Sequence, residues 1–177
     1  MLEFITDRDI YEIVFDRIVK ARGFVWIATS DMKDLYVEKS GRMVPFLEIL
    51  SDLSSMHVEI RLLHAKEPGP AFREDFDKYP NLIQGMERIL CPRVHLKTVI
   101  IDGKFAYSGS ANLTGAGMGA KSERKRNFES GIITDDRKLV ANMMEQFDNI
   151  WMGVHCSRCG RKKYCADYKD ILAQRLP

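Results

Sequence analysis

The stretch Val94-His95-Leu96-Lys97-Thr98-Val99-Ile100-Ile101-Asp102-Gly103-Lys104-Phe105-Ala106-Tyr107-Ser108-Gly109-Ser110-Ala111-Asn112 decides the reading of this chain. Asp-Gly between two apolar runs is a strong hairpin signal. Residues 94–101 and 104–108 therefore predict two antiparallel strands turning at Asp102-Gly103. Alternate side chains of a strand share a face, so His95 and Lys97 project together. An imidazole beside an ammonium suits an anion and sits badly in an apolar core. Taken alone, the pair describes a solvated surface strand; the residues that follow it argue for more.

Working outward, the pattern alternates strands and helices. Asp7 or Asp9 is placed to cap a first helix carrying Ile10, Ile13, Val14, Ile18 and Val19, ended by Arg22-Gly23. Residues 24–29 read as a buried strand, 45–56 as a helix burying Leu47, Ile49, Leu50 and Leu53, and 58–63 as a strand. After a Gly/Pro break at 66–70, residues 72–90 predict a helix interrupted near Pro80. Residues 128–134 predict a strand, and 136–152 a long helix with Leu139, Met143, Phe147, Ile150 and Trp151 on one side. The expected class is α/β, an α+β sandwich in which a mixed sheet is flanked by helices.

A length of 177 residues with 45% hydrophobic content suits one cored domain. Residues 1–153 form the expected main domain; residues 154–177, poor in aliphatics and rich in cysteine and basic side chains, form an appended tail. The net charge of +2 selects no partner. Apolar runs such as Phe24-Val25-Trp26-Ile27-Ala28 are strand-length, well short of the roughly 20 residues of a transmembrane segment, and the start lacks the pattern of a signal peptide. The expected location is cytoplasmic, where cysteines serve as metal ligands or free thiols rather than disulfides.

Six residues, His95, Lys97, Asp102, Gly109, Ser110 and Asn112, spell H-x-K-x4-D-x6-G-S-x-N. Chance agreement has odds on the order of 10⁻⁷ to 10⁻⁸ per start position. With Asn127-Phe128-Glu129 downstream, the chain resembles the phospholipase D superfamily over residues 90–135. The resemblance implies a catalytic set of His95, Lys97, Asp102 and Glu129. His95 would be the nucleophile that becomes a phosphohistidine, and Glu129 would fix its tautomer. Asp102 is expected to support the turn rather than touch substrate. Lys97, Ser110, Asn112 and Asn127 would hold phosphate oxygens, and Gly109 would let the backbone approach the ligand. No catalytic metal is implied. Larger members carry two motifs, whereas this chain has one. His57, His64 and His155 lack its context. The resemblance to small single-motif members then implies a homodimer, with His95 of each subunit facing one phosphate.

Lys121, Arg124, Lys125 and Arg126 against Glu123 make the loop between the two motif halves basic, and Arg158, Arg161, Lys162 and Lys163 do the same for the tail. Such groups beside a phosphodiester site favour a nucleic-acid backbone, hence a nuclease. Anionic phospholipid is the alternative substrate, for a lipid phosphodiesterase or transphosphatidylase; an inactive nucleic-acid-binding domain is the third reading. Cys156-x2-Cys159-x5-Cys165, with Cys91 as the remaining cysteine, predicts a structural metal site. Four thiolates suit zinc or a 4Fe–4S cluster equally, and free thiols remain the alternative.

Overall fold

The computed structural model describes residues 1–33 and 35–167. In chain order these form β1 (Leu2–Thr6), α1 (Arg8–Val19), β2 (Phe24–Thr29), β3 (Tyr36–Lys39), β4 (Arg42–Pro45), α2 (Phe46–Ser55) and β5 (Glu59–His64). Then come α3 (Pro70–Phe76), α4 (Leu82–Gly85), β6 (Met86–Leu90), β7 (Thr98–Ile101), β8 (Phe105–Gly109), β9 (Ser130–Thr134) and α5 (Arg137–Trp151). A seven-stranded mixed sheet runs β1-β9-β8-β7-β2-β5-β6, and β3-β4 form a separate hairpin. β2, β5 and β6 are parallel; β7, β8, β9 and β1 pair antiparallel. The architecture is the expected mixed sheet flanked by helices.

β2 explains the layering. Val25 and Ile27 pack with Ile10, Val14 and Ile18 of α1 and Leu47, Leu50 and Leu53 of α2. Trp26 and Ala28 point the other way, onto Val140 and Phe147 of α5. A strand covered on both faces must be apolar throughout, which is why residues 24–28 read as an unbroken run. Asp136 starts α5 by accepting from the backbone N–H of Lys138 (3.0 Å) and Leu139 (2.9 Å).

Four expectations need correction. Residues 86–90 are not helical: they form β6, parallel to β5 in the register Ile60↔Met86 to His64↔Leu90. Glu87 and Arg88 on this edge strand hide the strand pattern, and the preceding helical sequence is divided into two short pieces around Pro80. β7 begins at Thr98, so His95 and Lys97 precede the ladder rather than sit in it. β9 begins at Ser130 and leaves Phe128 outside, 99% exposed. Asp7 occupies the cap position of α1 without a side-chain bond to it. β1 and the β3-β4 hairpin carried too little alternation to be expected. Among the described residues no helix is long and apolar enough to cross a membrane.

Candidate active site

The motif hairpin has two ends. Asp102 (φ 54°) and Gly103 (φ 62°) turn the chain in the left-handed region at one of them. The Asp102 carboxylate accepts from the amides of Arg22 (3.0 Å), Gly23 (2.7 Å) and Phe24 (2.9 Å), and so ties the start of β2 to the end of β7. Burial alone would raise this carboxyl; the bonds from Phe24, Gly23 and Arg22 outweigh it and hold it below the usual range. The four residues of β7 put this end roughly 13 Å from the other. Asp102 therefore has a scaffold role, at the end of the hairpin away from His95.

At the opposite end β2 and β8 finish while β7 and β9 begin. His95 is exposed there. Lys97 is 8% exposed; its Nζ donates to His95 O (2.9 Å) and lies 2.9 Å from His95 Nδ1. Burial lowers the Lys97 ammonium, while the charge of Glu129 opposes that shift. Gly109 N donates to Lys97 O (3.1 Å), and Ser110 N to Ser130 O (2.9 Å). These bonds carry Ser110 and Asn112 to the same end as His95.

Neighbouring loops hold each polar side chain. Asn112 Oδ1 accepts from Ser30 Oγ (2.8 Å) and the amide of Asp31 (3.3 Å). With the oxygen fixed by donors, the amide nitrogen of Asn112 is left to face an anion. Glu129 Oε2 accepts from Ser110 Oγ, and Oε1 from Asn127 Nδ2 (3.0 Å). Glu129 thus grips the serine and asparagine, and the His95 ring has Lys97 as its polar neighbour; the expected Glu129–His95 hydrogen bond is not among the contacts of the described residues. The Glu129 amide donates to Asp7 Oδ1 (3.0 Å), and the Asp7 amide donates to Glu129 O (3.0 Å).

Gly109 is also required by its neighbours. A Cβ there would meet Tyr107 Oη at 2.4 Å, Ser130 O at 2.5 Å and Gly131 Cα at 2.8 Å. The glycine makes room for β9 and the Tyr107 hydroxyl. Tyr107 is buried, which pushes its hydroxyl up to about 12.

Asp7, Ser30 and Asp31 were missed as site residues. The available signal was position: Ser30 and Asp31 follow the carboxyl end of the parallel strand β2, where α/β sheets collect ligands. His64, at the end of β5, is buried with Nδ1 2.7 Å from Lys66 O.

Lys121, Arg124 and Lys125 are exposed and Arg126 partly so; none makes an ion pair among the described residues. Lys121 and Asn127 share a pocket of about 260 Å³ with Asn112, Asp31, Lys33 and Thr114. The tail returns to the β6–β7 connection: Cys165 Sγ donates to Leu90 O (3.4 Å), Asp167 accepts from Leu90 N (2.6 Å) and Arg161 donates to Pro92 O (3.0 Å). Cys91, Cys156 and Cys159 line one pocket of about 220 Å³. Among the described residues no three His, Cys, Asp or Glu side chains are grouped as a bound metal requires. Residues 168–177 of the tail lie outside the described residues.

Residues 14–151 match the family model "Cardiolipin synthase, PLD-like domain". The chain belongs to the phospholipase D superfamily. One curated relative, the mitochondrial cardiolipin hydrolase of Chlamydomonas reinhardtii, is 27% identical over 105 residues, covering 59% of this chain and 44% of its own. The chain thus spans less than half the length of that relative. Two solved structures of similar size share the fold. Nuc of Salmonella typhimurium, a phospholipase D family member, superposes with a TM-score of 0.64 at 15% identity, covering 85% of this chain and 93% of its own. NucT of Helicobacter pylori gives 0.62 at 17%, covering 86% and 97%.

Proposed function

We propose that the protein is a metal-independent phosphodiesterase that cleaves nucleic acid through a phosphohistidine at His95, in a site completed by a second copy of the chain. The observation that carries this is the exposed imidazole of His95 against the buried ammonium of Lys97, at the strand ends that also present Ser110, Asn112, Asn127 and Glu129. The His95 lone pair attacks phosphorus, forming P–N as the P–O bond to the leaving alcohol breaks. His95 of the other subunit, as imidazolium, gives that alkoxide its proton. The same imidazole then takes a proton from water, whose oxygen attacks phosphorus and breaks P–N. Lys97 and the amide of Asn112 stabilise charge on the phosphoryl oxygens. The two histidine roles require one neutral and one charged ring, so kcat/KM should be bell-shaped in pH.

The single motif of residues 1–177 supports the dimer, since these residues supply the nucleophile and the acid role calls for a second motif histidine. Phe128, fully exposed between Asn127 and Glu129, supports it too: a bare aromatic ring at the mouth of a site suits a surface another subunit covers. Subunit exchange between wild type and His95→Ala tests it. A shared site leaves about a quarter of the activity in a 1:1 mixture, whereas one half would refute it.

The cations at 121–126, which make no ion pair among the described residues, and the polar pocket beside Asn112 support nucleic acid over lipid. The cardiolipin hydrolase similarity favours a lipid as second reading. Labelled DNA, RNA and cardiolipin vesicles, each in EDTA beside His95→Ala, separate the two. His95-dependent turnover of vesicles alone would overturn the nuclease.

The tail is proposed to hold a structural zinc or 4Fe–4S cluster on Cys91, Cys156, Cys159 and Cys165. The support is the spacing of the cysteines, the pocket that Cys91, Cys156 and Cys159 line together, and the bond of Cys165 to the Leu90 carbonyl beside Cys91. Metal content and an absorbance band near about 400 nm distinguish the two groups. Metal-free protein after anaerobic purification would refute both.

A further inference from the structure

The pocket beside the reacting centre has its own chemistry. Its walls are three segments pinned by backbone bonds: Lys33 N to Leu113 O (3.3 Å), Lys121 N to Gly115 O (3.0 Å) and Asn127 N to Ala116 O (3.0 Å). Asn112 and Asn127 border both this pocket and the motif site, whereas His95, Lys97 and Ser110 do not line it. It is thus a neighbouring compartment that shares a wall with the phosphoryl site. At about 260 Å³ it falls below the roughly 300–1,000 Å³ of pockets for drug-sized ligands.

Its lining side chains are nearly all polar, and two are ammonium groups. Lys121 makes no ion pair among the described residues. Lys33 stands 3.7 Å from the Asp31 carboxylate, beyond hydrogen-bond distance. Among the described residues that line it, two cations face one carboxylate around a small, mainly polar space, a lining that suits an anion better than an acyl chain.

We propose that Lys33 and Lys121 hold the phosphate next to the scissile one in a polynucleotide. The enzyme then reads two consecutive phosphodiesters, one at His95 and one across the Asn112 wall. This rests on the proposed chemistry at His95 and names a subsite for it. Asp31 opposes the same anion, so its neutral variant should act in the opposite direction.

The test compares thymidine dinucleotide, which has one phosphodiester, with the trinucleotide, which has two; bis-p-nitrophenyl phosphate reports the bare chemistry. Wild type should prefer trinucleotide over dinucleotide in kcat/KM. Lys33→Gln and Lys121→Gln should each reduce that ratio, on the order of tenfold. Asp31→Asn should raise it. Equal losses on both oligonucleotides, or an unchanged ratio, would overturn the assignment. So would a wild-type enzyme that hydrolyses the reporter but neither oligonucleotide, or that shows the lysine effect only on cardiolipin vesicles. Failure to turn over the reporter, or turnover that survives His95→Ala, would instead sink the chemistry itself.

Discussion

The two ends of the motif hairpin carry residues of one sequence signature and do opposite work. At the turn, the Asp102 carboxylate is engaged by three backbone amides that tie it to the start of β2. At the strand ends, His95 is exposed and the polar side chains around it are aimed by their neighbours. A signature can therefore mix groups that build the hairpin with groups that use it. Distance along β7 separates the two kinds.

The largest expected effect comes from the open end. His95→Ala should lower turnover by at least about 10³-fold and leave the melting temperature near that of wild type, because the ring contributes little packing. Single-turnover kinetics alongside thermal melts would check both. A large loss of stability would mean that His95 belongs to the scaffold.

The closed end should break in the reverse sense. Asp102→Ala strands three amides at the start of β2, which costs about 2–3 kcal/mol and about 5–10 °C in Tm for a chain of this size. Activity measured well below the new Tm should fall by less than tenfold. The sign with pH follows from the depressed carboxyl. Asp102 stabilises the fold above the ordinary carboxylate pKa of about 4 and loses that contribution as pH falls through its lower folded value. Acid titration of Asp102→Asn should lack this component.

A second histidine sharpens the contrast. His64 lies in register with Thr29, whose neighbour Ser30 holds Asn112, yet it is buried and its Nε2 has no hydrogen-bond partner among the described residues. Burial lowers its pKa; the Lys66 carbonyl, Glu67 and Asp167 oppose that shift and Arg88 adds to it. The unfolded chain then binds a proton below about pH 6.5 that the folded chain refuses, so stability declines as pH falls through that range. His64→Gln should flatten the slope of Tm against pH there without changing the pH profile of turnover. A matching change in turnover would make His64 part of the chemistry.

How much of this was legible depends on how locally each feature is encoded. The hairpin, α1, α2, α5 and β2 were readable because an Asp-Gly turn, a 3.6-residue period or an unbroken apolar run declares itself within a few residues. β6 was not, because Met86-Glu87-Arg88-Ile89-Leu90 becomes a strand only by pairing with β5. The signature residues were all visible, but their contacts were not. Glu129 holding Ser110, and Ser30 holding Asn112, join segments far apart in the chain, and spacing carries no information on such pairs.

Asp7 gives the finest test of the comparison, because it belongs to the open end while resembling a scaffold residue. Its φ of 48° and ψ of −112° lie in a region that favours glycine, and holding a side chain there costs of order 1–3 kcal/mol. It does not cap α1, so the strain has no return in that helix. What the carboxylate does is accept the Glu129 amide, fixing the residue that grips Ser110 and Asn127. Asp7→Gly relieves the strain and removes the acceptor. It should leave Tm unchanged or raise it by a few degrees, while kcat falls several-fold with little change in KM. Asp7→Asn keeps the acceptor and should restore most of the rate. A glycine variant that is both less stable and fully active would return Asp7 to the scaffold and leave the Glu129 side chain positioned without help from the Asp7 carboxylate.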